Sequence, residues 1–443
     1  MKKLGFLVIV LFSLFSKDVF AKDTALYLNQ YEEENFLMMQ KSYNEKKEID
    51  GFLVGGVVLK ETIEQEEESY LDYQVLLVKY DKNGNIVWTL PYGNTKEDQI
   101  YFMDYMYDEE NQVTGYLIGV EKTYDRFGEQ TEDHSMTTFL KVTFDGKIEW
   151  EKSSSLNRYE KIHKLIPINQ NDGIHGYIGI GTMDEDEKPM IIRYNKNLEI
   201  VWMKEYQNEE LSHENFIDLQ LVYSSEEMIT GYALLLQGEK EEQILLKLLR
   251  YDLEGNLIKT VIEDIPYETA SLASAKSGYI LYGITSEVKL SKGENSYYLI
   301  RYSENDEEEW EVVGDLPVSL EKPILLRSTS EGLVLLYQNS ADQTYEVIEL
   351  DQDGLYKKKV KKIPNNYYDF QDFTFQEGVL YFVGQIECPE EEDCYQNHKA
   401  VFLRSDKDKV IEVKDETSAG ILIVLGVLIL FFVGFIWYHK REQ

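Results

Sequence analysis

Short apolar runs recur along almost the whole chain, and clusters of turn residues separate them. Runs such as QVLLVKY and QILLKLLRY are apolar at consecutive positions, which is typical of strands that are covered on both faces. Tyr is abundant at 33 copies and Pro is scarce at 8, and Tyr suits a pleated, half-buried surface. The pattern predicts an all-β protein.

A decapeptide, KYDKNGNIVW at residues 79–88, recurs in degraded form at intervals of about 48 to 62 residues. The further copies are KVTFDGKIEW from 141, RYNKNLEIVW from 193, RYDLEGNLIK from 250, RYSENDEEEW from 301, ELDQDGLYKK from 349 and a frayed RSDKDKVIEV from 404. Four of the five Trp residues close such a copy, namely Trp88, Trp150, Trp202 and Trp310. This register predicts a structural role for the four Trp side chains, in packing between repeat units.

A second repeated signal keeps step with the first. It reads GFLVGG from 51, GYLIGV from 115, GYIGIG from 176, GYALLL from 231, GYILYG from 278, GLVLLY from 332 and GVLYFVG from 378. Another apolar run precedes each copy, so each unit holds about four strands. Seven such units at a period near fifty predict a seven-bladed β-propeller.

Within a blade, the decapeptide is the end of the third strand, a tight turn and the fourth strand. Asp, Asn and Gly at its centre supply the side-chain bonds and the positive φ that a hairpin needs. The alternative, a calcium loop of the EF-hand type, requires alternating oxygen ligands and a distal bidentate Glu, and here an apolar strand follows directly.

The repeats resemble the D-x-x-G-x-x-x-W repeats of quinoprotein-like and WD40-like propellers, and the K-Y-D-x-x-G-N-x-x-W repeats of bacterial surface proteins. The resemblance covers roughly residues 35 to 414, and WTLPYGN from Trp88 matches the fuller surface-protein form. Lys259 and Lys358 replace the Trp in two units. The resemblance implies a bacterial extracellular propeller. The quinone and calcium-linked base of quinoprotein dehydrogenases match no residues here, so no catalytic role is carried over.

The two ends of the chain carry patterns of export and anchoring. MKK, an apolar run and VFA ending at Ala21 are typical of a secretory signal peptide, the alternative being an uncleaved anchor. AGILIVLGVLILFFVGFIWY is uncharged and long enough to cross a ~30 Å hydrocarbon core, and the basic HKREQ follows it. We predict a signal peptide at 1–21, a propeller ectodomain at 22–414, a linker at 415–418, a transmembrane helix at 419–438 and a cytoplasmic tail at 439–443. The protein would then be single-pass in the cell membrane, with its N-terminal domain extracellular.

Charge and cysteine content narrow the choice of partners. The chain has 81 acidic and 45 basic residues, a formal net charge of −36, which makes nucleic acid a poor partner. Cys388 and Cys394, the two cysteines, lie in the exported part, where an oxidising compartment favours a disulfide. A metal site would need more ligands nearby, and no pair among the six His shows metal-ligand spacing.

Long acidic inserts occupy one set of connections in the predicted blades, those after the second and fourth strands. In an up-and-down blade these connections emerge on the face opposite the tight turns, and long loops on one face of a scaffold commonly bind ligands. We name the candidate binding residues the acidic rim: Glu66, Glu67, Glu68, Asp184, Glu185, Asp186, Glu390, Glu391, Glu392 and Asp393. They predict an extracellular protein or cationic ligand as the partner, with Ca²⁺ as the one cofactor to consider. The alternative is ordinary solvated loops.

Three acids interrupt otherwise apolar first strands: Asp104, Asp218 and Asp372. They could line the central channel and bind water or a cation there, or be merely solvated. Phosphate loops and nucleophile elbows are not found in the sequence, so no catalytic residue is assigned. The sequence predicts a non-catalytic binding, adhesion or sensing ectodomain. The alternatives are a membrane-anchored propeller enzyme, quinoprotein-like or hydrolytic, and an envelope-assembly scaffold.

Overall fold

The computed structural model describes only part of the chain, all of it within one compact unit from Thr24 to Asp408. The described residues are 24–27, 34–65, 68–93, 98–124, 134–153, 160–170, 173–183, 188–206, 211–240, 243–262, 264–265, 269–285, 295–314, 317–329, 332–363, 368–376, 379–386 and 399–406. These ranges contain strands, turns and connections, and no helix. Accordingly, no helix that could cross a membrane is found in them. The predicted signal peptide and the predicted span lie outside them.

The strands form seven antiparallel sheets of four, which confirms the predicted all-β, seven-bladed propeller. We number strands in chain order and blades from the first complete one. Blade 1 is β2 (Glu34–Tyr43), β3 (Ile49–Gln65), β4 (Glu68–Asp81) and β5 (Ile86–Tyr92). Blade 2 is β6 (Gln99–Tyr107), β7 (Val113–Tyr124), β8 (His134–Val142) and β9 (Ile148–Ser153). Blade 3 is β10 (Glu160–Gln170), β11 (Gly173–Met183), β12 (Lys188–Tyr194) and β13 (Ile200–Glu205).

The next three blades repeat this order. Blade 4 is β14 (Ser212–Tyr223), β15 (Ile229–Lys240), β16 (Gln243–Tyr251) and β17 (Leu257–Ile262). Blade 5 is β18 (Ser271–Ser274), β19 (Tyr279–Thr285), β20 (Ser296–Tyr302) and β21 (Glu308–Val313). Blade 6 is β22 (Leu325–Thr329), β23 (Gly332–Gln338), β24 (Tyr345–Leu350) and β25 (Tyr356–Ile363). The first strands of successive blades contact one another all the way round the ring, including those of the last blade and blade 1.

Blade 7 is built from both ends of the propeller. It contains β26 (Tyr368–Gln376), β27 (Val379–Ile386), β28 (Lys399–Asp406) and, in the outermost position, β1 (Thr24–Tyr27). β1 runs antiparallel to β28, with Thr24 opposite Arg404 and Tyr27 opposite Val401. The frayed decapeptide copy from residue 404 predicts a different outermost strand for blade 7, one formed by the chain that follows β28. The difference has a physical reason, since pairing the first strand with the last blade joins the two ends of the ring by backbone hydrogen bonds.

The up-and-down order gives the propeller two different faces. The tight-turn face carries the connections from first to second and from third to fourth strands. The long-loop face is the opposite one, at which second and fourth strands end and first and third strands begin. β28 runs towards the tight-turn face and β1 starts there, so the propeller begins and ends on the tight-turn face.

The hydrophobic core lies between neighbouring blades. Every residue of β19 and of β23 is buried, as expected for strands that are covered on both faces. The closing interface between blades 7 and 1 is aromatic: the Tyr80 and Phe402 rings stack at 4.4 Å, and the Phe52 and Tyr381 centroids are 4.1 Å apart. Stability therefore depends on contacts between blades at every position in the ring.

The repeated Trp and Gly of the decapeptide meet across blades. Trp88, on the outer strand of blade 1, lies against the turn of blade 2, where its Nε1 donates to the Phe144 carbonyl at 3.0 Å. A methyl group on Gly146 of that turn would stand 2.6 Å from the Trp88 ring, and φ there is +81°. Gly is therefore required both for the turn and for the approach of the ring. The same contact joins Trp202 to Gly255 and Trp310 to Gly354.

Two interfaces depart from this Trp–Gly pair, one at the Gly position alone and one at both positions. Trp150 packs in the cluster that contains Leu198, which occupies the Gly position of the blade 3 turn with φ +57°. Lys259 replaces the Trp of blade 4, and its Nζ lies 3.2 Å from a carboxylate oxygen of Asp306 in the blade 5 turn. The last residue of one decapeptide therefore contacts the turn of the next decapeptide, in the neighbouring blade.

Replacing Trp88 by Ala should lower the free energy of unfolding by about 2 to 3 kcal/mol, because a large half-buried ring and one hydrogen bond are lost. The matched control is Val87→Ala, because Val87 is adjacent and 55% exposed, and its cost should stay within about 0.5 kcal/mol. Urea unfolding of the full chain, followed by circular dichroism, measures both. Equal midpoints for the two variants would contradict the inter-blade role.

Consecutive prolines at Ala25 and Leu26 should open the ring. In an antiparallel pair one of two successive N–H groups faces the partner strand, so one proline must remove a β1–β28 hydrogen bond. We expect a loss of about 1 to 3 kcal/mol and earlier aggregation on heating. Valine at the same two positions keeps both N–H groups and serves as the control. An unchanged melting curve for the proline variant would show that β1 does not close the ring.

Candidate binding site on the long-loop face

The sequence-predicted site residues fall into two groups in the structure. The side chains of the acidic rim, together with Cys388 and Cys394, lie outside the described residues. The described strand ends that flank these residues lie at the long-loop face, and the predicted role of the residues stays a prediction. The three first-strand acids are described, and they differ from one another.

Asp218 and Asp372 are neither solvated nor arranged to bind a cation, contrary to both sequence-based alternatives. They are only 8% and 9% exposed. Asp218 pairs with Lys164 of the preceding blade and accepts a 2.6 Å hydrogen bond from the Leu272 N–H of the following blade. A buried carboxylate requires such partners, and here they join three consecutive blades.

Asp372 repeats this arrangement at the point where the ring closes. Arg327 of blade 6 is its cation, and the Met39 N–H of blade 1 donates to it at 3.0 Å. Each acid also accepts a hydrogen bond from the N–H of the residue that follows it in the chain. The two acids are therefore inter-blade connectors of the channel wall.

Asp104 has a different environment. Its Oδ1 accepts a 2.7 Å hydrogen bond from the Tyr105 N–H, and within the described ranges no Lys or Arg pairs with it. Its charge also raises the pKa values of the nearby Tyr105, Tyr107 and Tyr177, whose main perturbation is burial. Removal from water raises the pKa of Asp104 to about 7, and the Tyr105 hydrogen bond opposes this only in part.

Asp104→Asn should stabilise the protein at pH 8 and leave its stability unchanged near pH 3. The folded pKa of about 7 exceeds the ordinary 3.8, so the ionised carboxylate costs stability progressively as pH rises between these values. The gain at pH 8 should be about 2 kcal/mol, allowing for solvent screening. Asp353→Asn, in an exposed turn, is the control for the change of charge. Urea midpoints across this pH range measure the effect, and a gain of equal size at both pH values would contradict it.

A polar residue stands at one equivalent position in the first strands of five blades. In each, it is paired with the second strand and is followed two residues later by a β-bulge residue. These five mouth residues are Asn35, Gln99, Lys161, Asn215 and Asp369. First strands begin at the long-loop face, so the mouth residues stand where the central channel opens on that face. Bulges often re-aim side chains next to functional sites.

Between blades 7, 1 and 2 the mouth widens into a cleft of about 350 Å³. Its lining residues are Glu34, Asn35, Leu37, Val57, Tyr73, Gln99 and Gln385. The volume is at the lower end of the ~300–1,000 Å³ that is usual for ligand sites. The lining combines apolar walls with a few polar groups, which is also usual for such sites.

The polar lining of the cleft is rich in hydrogen-bond acceptors. Glu34 lines the cleft, but the residue is only 1% exposed and already has an interaction within the protein. The buried Oδ1 of Asn35 receives no hydrogen bond from the described residues. The Gln385 amide nitrogen donates to Asp369 at 3.4 Å, which leaves the Gln385 carbonyl oxygen as an acceptor. The cleft therefore favours a ligand that brings donors.

Two of the mouth residues, Lys161 and Asp369, form ion pairs. Lys161 lies 3.5 Å from Glu121, and Lys322 lies 3.3 Å from Asp369. Across the described ranges, no three His, Cys, Asp or Glu side chains come together in a group that could hold a metal ion. The cleft is thus a described part of the long-loop face that offers both space and acceptors.

Sequence reasoning missed the cleft, although a signal for the mouth residues exists. The triplets NFL from 35, QIY from 99, KIH from 161, NFI from 215 and DFQ from 369 each read polar, buried apolar, bulge. The triplet is too short and too degenerate to be recognised without the strand register. The cleft itself combines residues from three blades, which no local motif could reveal.

Comparisons with known proteins bear on the fold alone. No family model matches the chain, and no curated protein matches it. Among solved structures, the β-propeller domain of the Trilobed protease from Pyrococcus furiosus is 11% identical, with a TM-score of 0.47, over 85% of this chain and 96% of that one. Polysaccharide lyase Uly1 is 10% identical, with a TM-score of 0.48, over 86% and 91%. The WD40 domain of SCAP from fission yeast is 10% identical, with a TM-score of 0.40, over 87% and 98%.

Proposed function

We propose that this chain is a membrane-anchored, extracellular binding module that engages its partner at the long-loop face. The observation that carries the proposal is the cleft between blades 7, 1 and 2, which opens on that face and is lined by acceptors. The role that we propose is non-catalytic binding, and a lining of apolar walls with a few polar groups is compatible with it. The export and anchoring patterns at 1–21 and 419–438 support the extracellular location.

The course of the chain is consistent with this choice of face. The propeller begins at Thr24 and its last described strand ends at Asp406, both on the tight-turn face. The strand ends next to the longest inserts lie at the opposite face, the long-loop face.

Charge favours a basic partner. The formal net charge is −36, and the acidic rim belongs to connections on the long-loop face. Gathered carboxylates attract cations and raise association rates, and the attraction weakens as the screening length falls from ~10 Å at 0.1 M salt to ~3 Å at 1 M. Ca²⁺ would be a co-ligand of the rim loops. A disulfide between Cys388 and Cys394 would constrain one of these loops.

Face-specific photocross-linking on intact cells tests the proposal. A photoreactive amino acid replaces Gln99, which lines the cleft, or Asn83, which is exposed in a tight turn of blade 1. We expect a discrete cross-linked product from position 99 that disappears in 0.5 M salt, where the screening length is only roughly 4 Å. Position 83 should give none.

Products from position 83 alone would contradict the assignment of the face, and no product from either position would contradict the binding role. Melting curves of both substituted chains provide the control for folding. Glu109→Gln, in an exposed turn on the other face, provides the control for a change of charge.

A further inference from the structure

We propose that the cleft is the binding site of one neutral sugar unit, which amide side chains from three blades hold by hydrogen bonds. The inference rests on the proposed binding role and assigns the chemistry of the group that enters the cleft. Asn35 comes from blade 1, Gln99 from blade 2 and Gln385 from blade 7, and all three line the same space. Blades 7 and 1 are neighbours only because the ring closes, so closure creates this set of amides.

The groups that the cleft offers to a ligand are neutral. Glu34 belongs to the lining, but it is only 1% exposed and already has an interaction within the protein. The other described residues of the lining carry no charge. A charged ligand would therefore lose its hydration in the cleft without gaining a charged partner, and that loss is costly. A neutral ligand avoids it.

The amides match the hydroxyl groups of a sugar, because both kinds of group donate and accept hydrogen bonds. The buried Asn35 Oδ1 receives no hydrogen bond from the described residues, and buried polar atoms are normally paired. Gln99 is exposed at the mouth of the channel. The amide nitrogen of Gln385 donates to Asp369 at 3.4 Å, which leaves the Gln385 oxygen and a second N–H for a ligand.

The apolar part of the lining suits the C–H face of a sugar ring. Leu37 and Val57 contribute aliphatic groups, and Tyr73 contributes an aromatic ring. A pyranose ring carries C–H groups on its faces and hydroxyl groups around its edge, so one ligand meets both the apolar walls and the amides. The volume of about 350 Å³ suits such a compact ring.

Two other neutral ligands fit less well. A purely apolar ligand would cover the three amides and leave their polar groups without partners, which costs free energy. A peptide main chain brings one N–H and one C=O per residue along an extended line. The three amides instead converge on one compact space from separate blades, where a single sugar ring presents several hydroxyl groups together.

Saturation-transfer NMR on the purified full chain tests the proposal, in a detergent that has no sugar headgroup. The probes are the methyl glycosides of glucose, galactose, mannose and N-acetylglucosamine, each at about 20 mM, a concentration that detects millimolar affinity. N-acetyl-lysine amide serves as the cationic probe and N-acetyl-norleucine amide as the apolar probe. We expect saturation of at least one glycoside and of neither amino-acid probe. Saturation of no glycoside, or equal saturation of an amino-acid probe, would overturn the assignment.

Ionic strength separates this binding from attraction by charge. The affinity for the glycoside should be equal at about 0.1 M and about 1 M salt, because no ion pair forms, although the screening length falls from ~10 Å to ~3 Å. A loss of affinity of about threefold or more at the higher salt concentration would contradict neutral recognition.

Variants locate the binding. Gln99→Met and Gln385→Met keep the length of the side chain and remove the amide, so each should weaken glycoside binding by roughly threefold to tenfold. Gln112→Met, in an exposed turn on the tight-turn face, is the matched control and should leave the affinity unchanged. Melting curves establish that each variant folds, and the exposed Gln99 decides the matter even if Gln385→Met is unstable. Unchanged affinity in the folded cleft variants would overturn the proposal.

The outcome is separable from that of the proposed function. If no glycoside binds while cross-linking still proceeds from position 99, the sugar assignment is wrong and the binding face stands. If a glycoside binds and cross-linking fails from both positions, the sugar site stands and the proposed engagement of a partner on cells fails.

Discussion

The contact between the Trp of one repeat and the turn glycine of the next is the constraint on which the ring depends. A blade has two exposed apolar faces and cannot bury them alone, so the units must meet at a fixed angle and height. The indole ring of Trp88 on Gly146, with its N–H bound to the Phe144 carbonyl, sets both. Because the contact links neighbouring copies of one motif, the residue that suits the Trp position of one copy depends on the residue at the Gly position of the next copy.

At the interface between blades 4 and 5, a different pair of residues replaces the Trp–Gly contact. Lys259 and Asp306 take the places of Trp and Gly, and Arg250 and the Tyr279 hydroxyl also reach the Asp306 carboxylate. Asp306 keeps the positive φ of the turn at +61°. The backbone geometry of the turn is therefore retained while the cross-blade contact changes from aromatic packing to a largely buried ion pair.

A closed ring has consequences at its centre. The first strands face the channel with one edge, whose backbone N–H groups have no neighbouring strand to bond. Asp218 and Asp372 each accept a hydrogen bond from one such N–H group on the first strand of the following blade. The wall is thereby fixed, and the mouth on the long-loop face keeps its shape. The cleft that carries the proposed function is a product of this rigidity, since Asn35, Gln99 and Gln385 come from three blades that the ring holds together.

The sequence by itself determined the repeat. Consecutive apolar positions predicted strands buried on both faces, and the turn residues predicted hairpins. The seven copies of the decapeptide and of the Gly-aromatic signal predicted seven units in one propeller. These features are local, because residues close together in sequence determine a strand or a turn. Seven copies also make a weak repeat detectable.

The tertiary structure alone decided how the ring closes and where the cleft lies. The outer position of blade 7 belongs to β1, hundreds of residues away in sequence from its partner β28, and no local pattern specifies that pairing. Asp104, Asp218 and Asp372 look alike in sequence, yet two are ion-paired connectors and the third is not, because their partners come from other blades. The cleft likewise exists only where three blades converge, since its acceptors share a site through the geometry of the ring and not through any spacing along the chain.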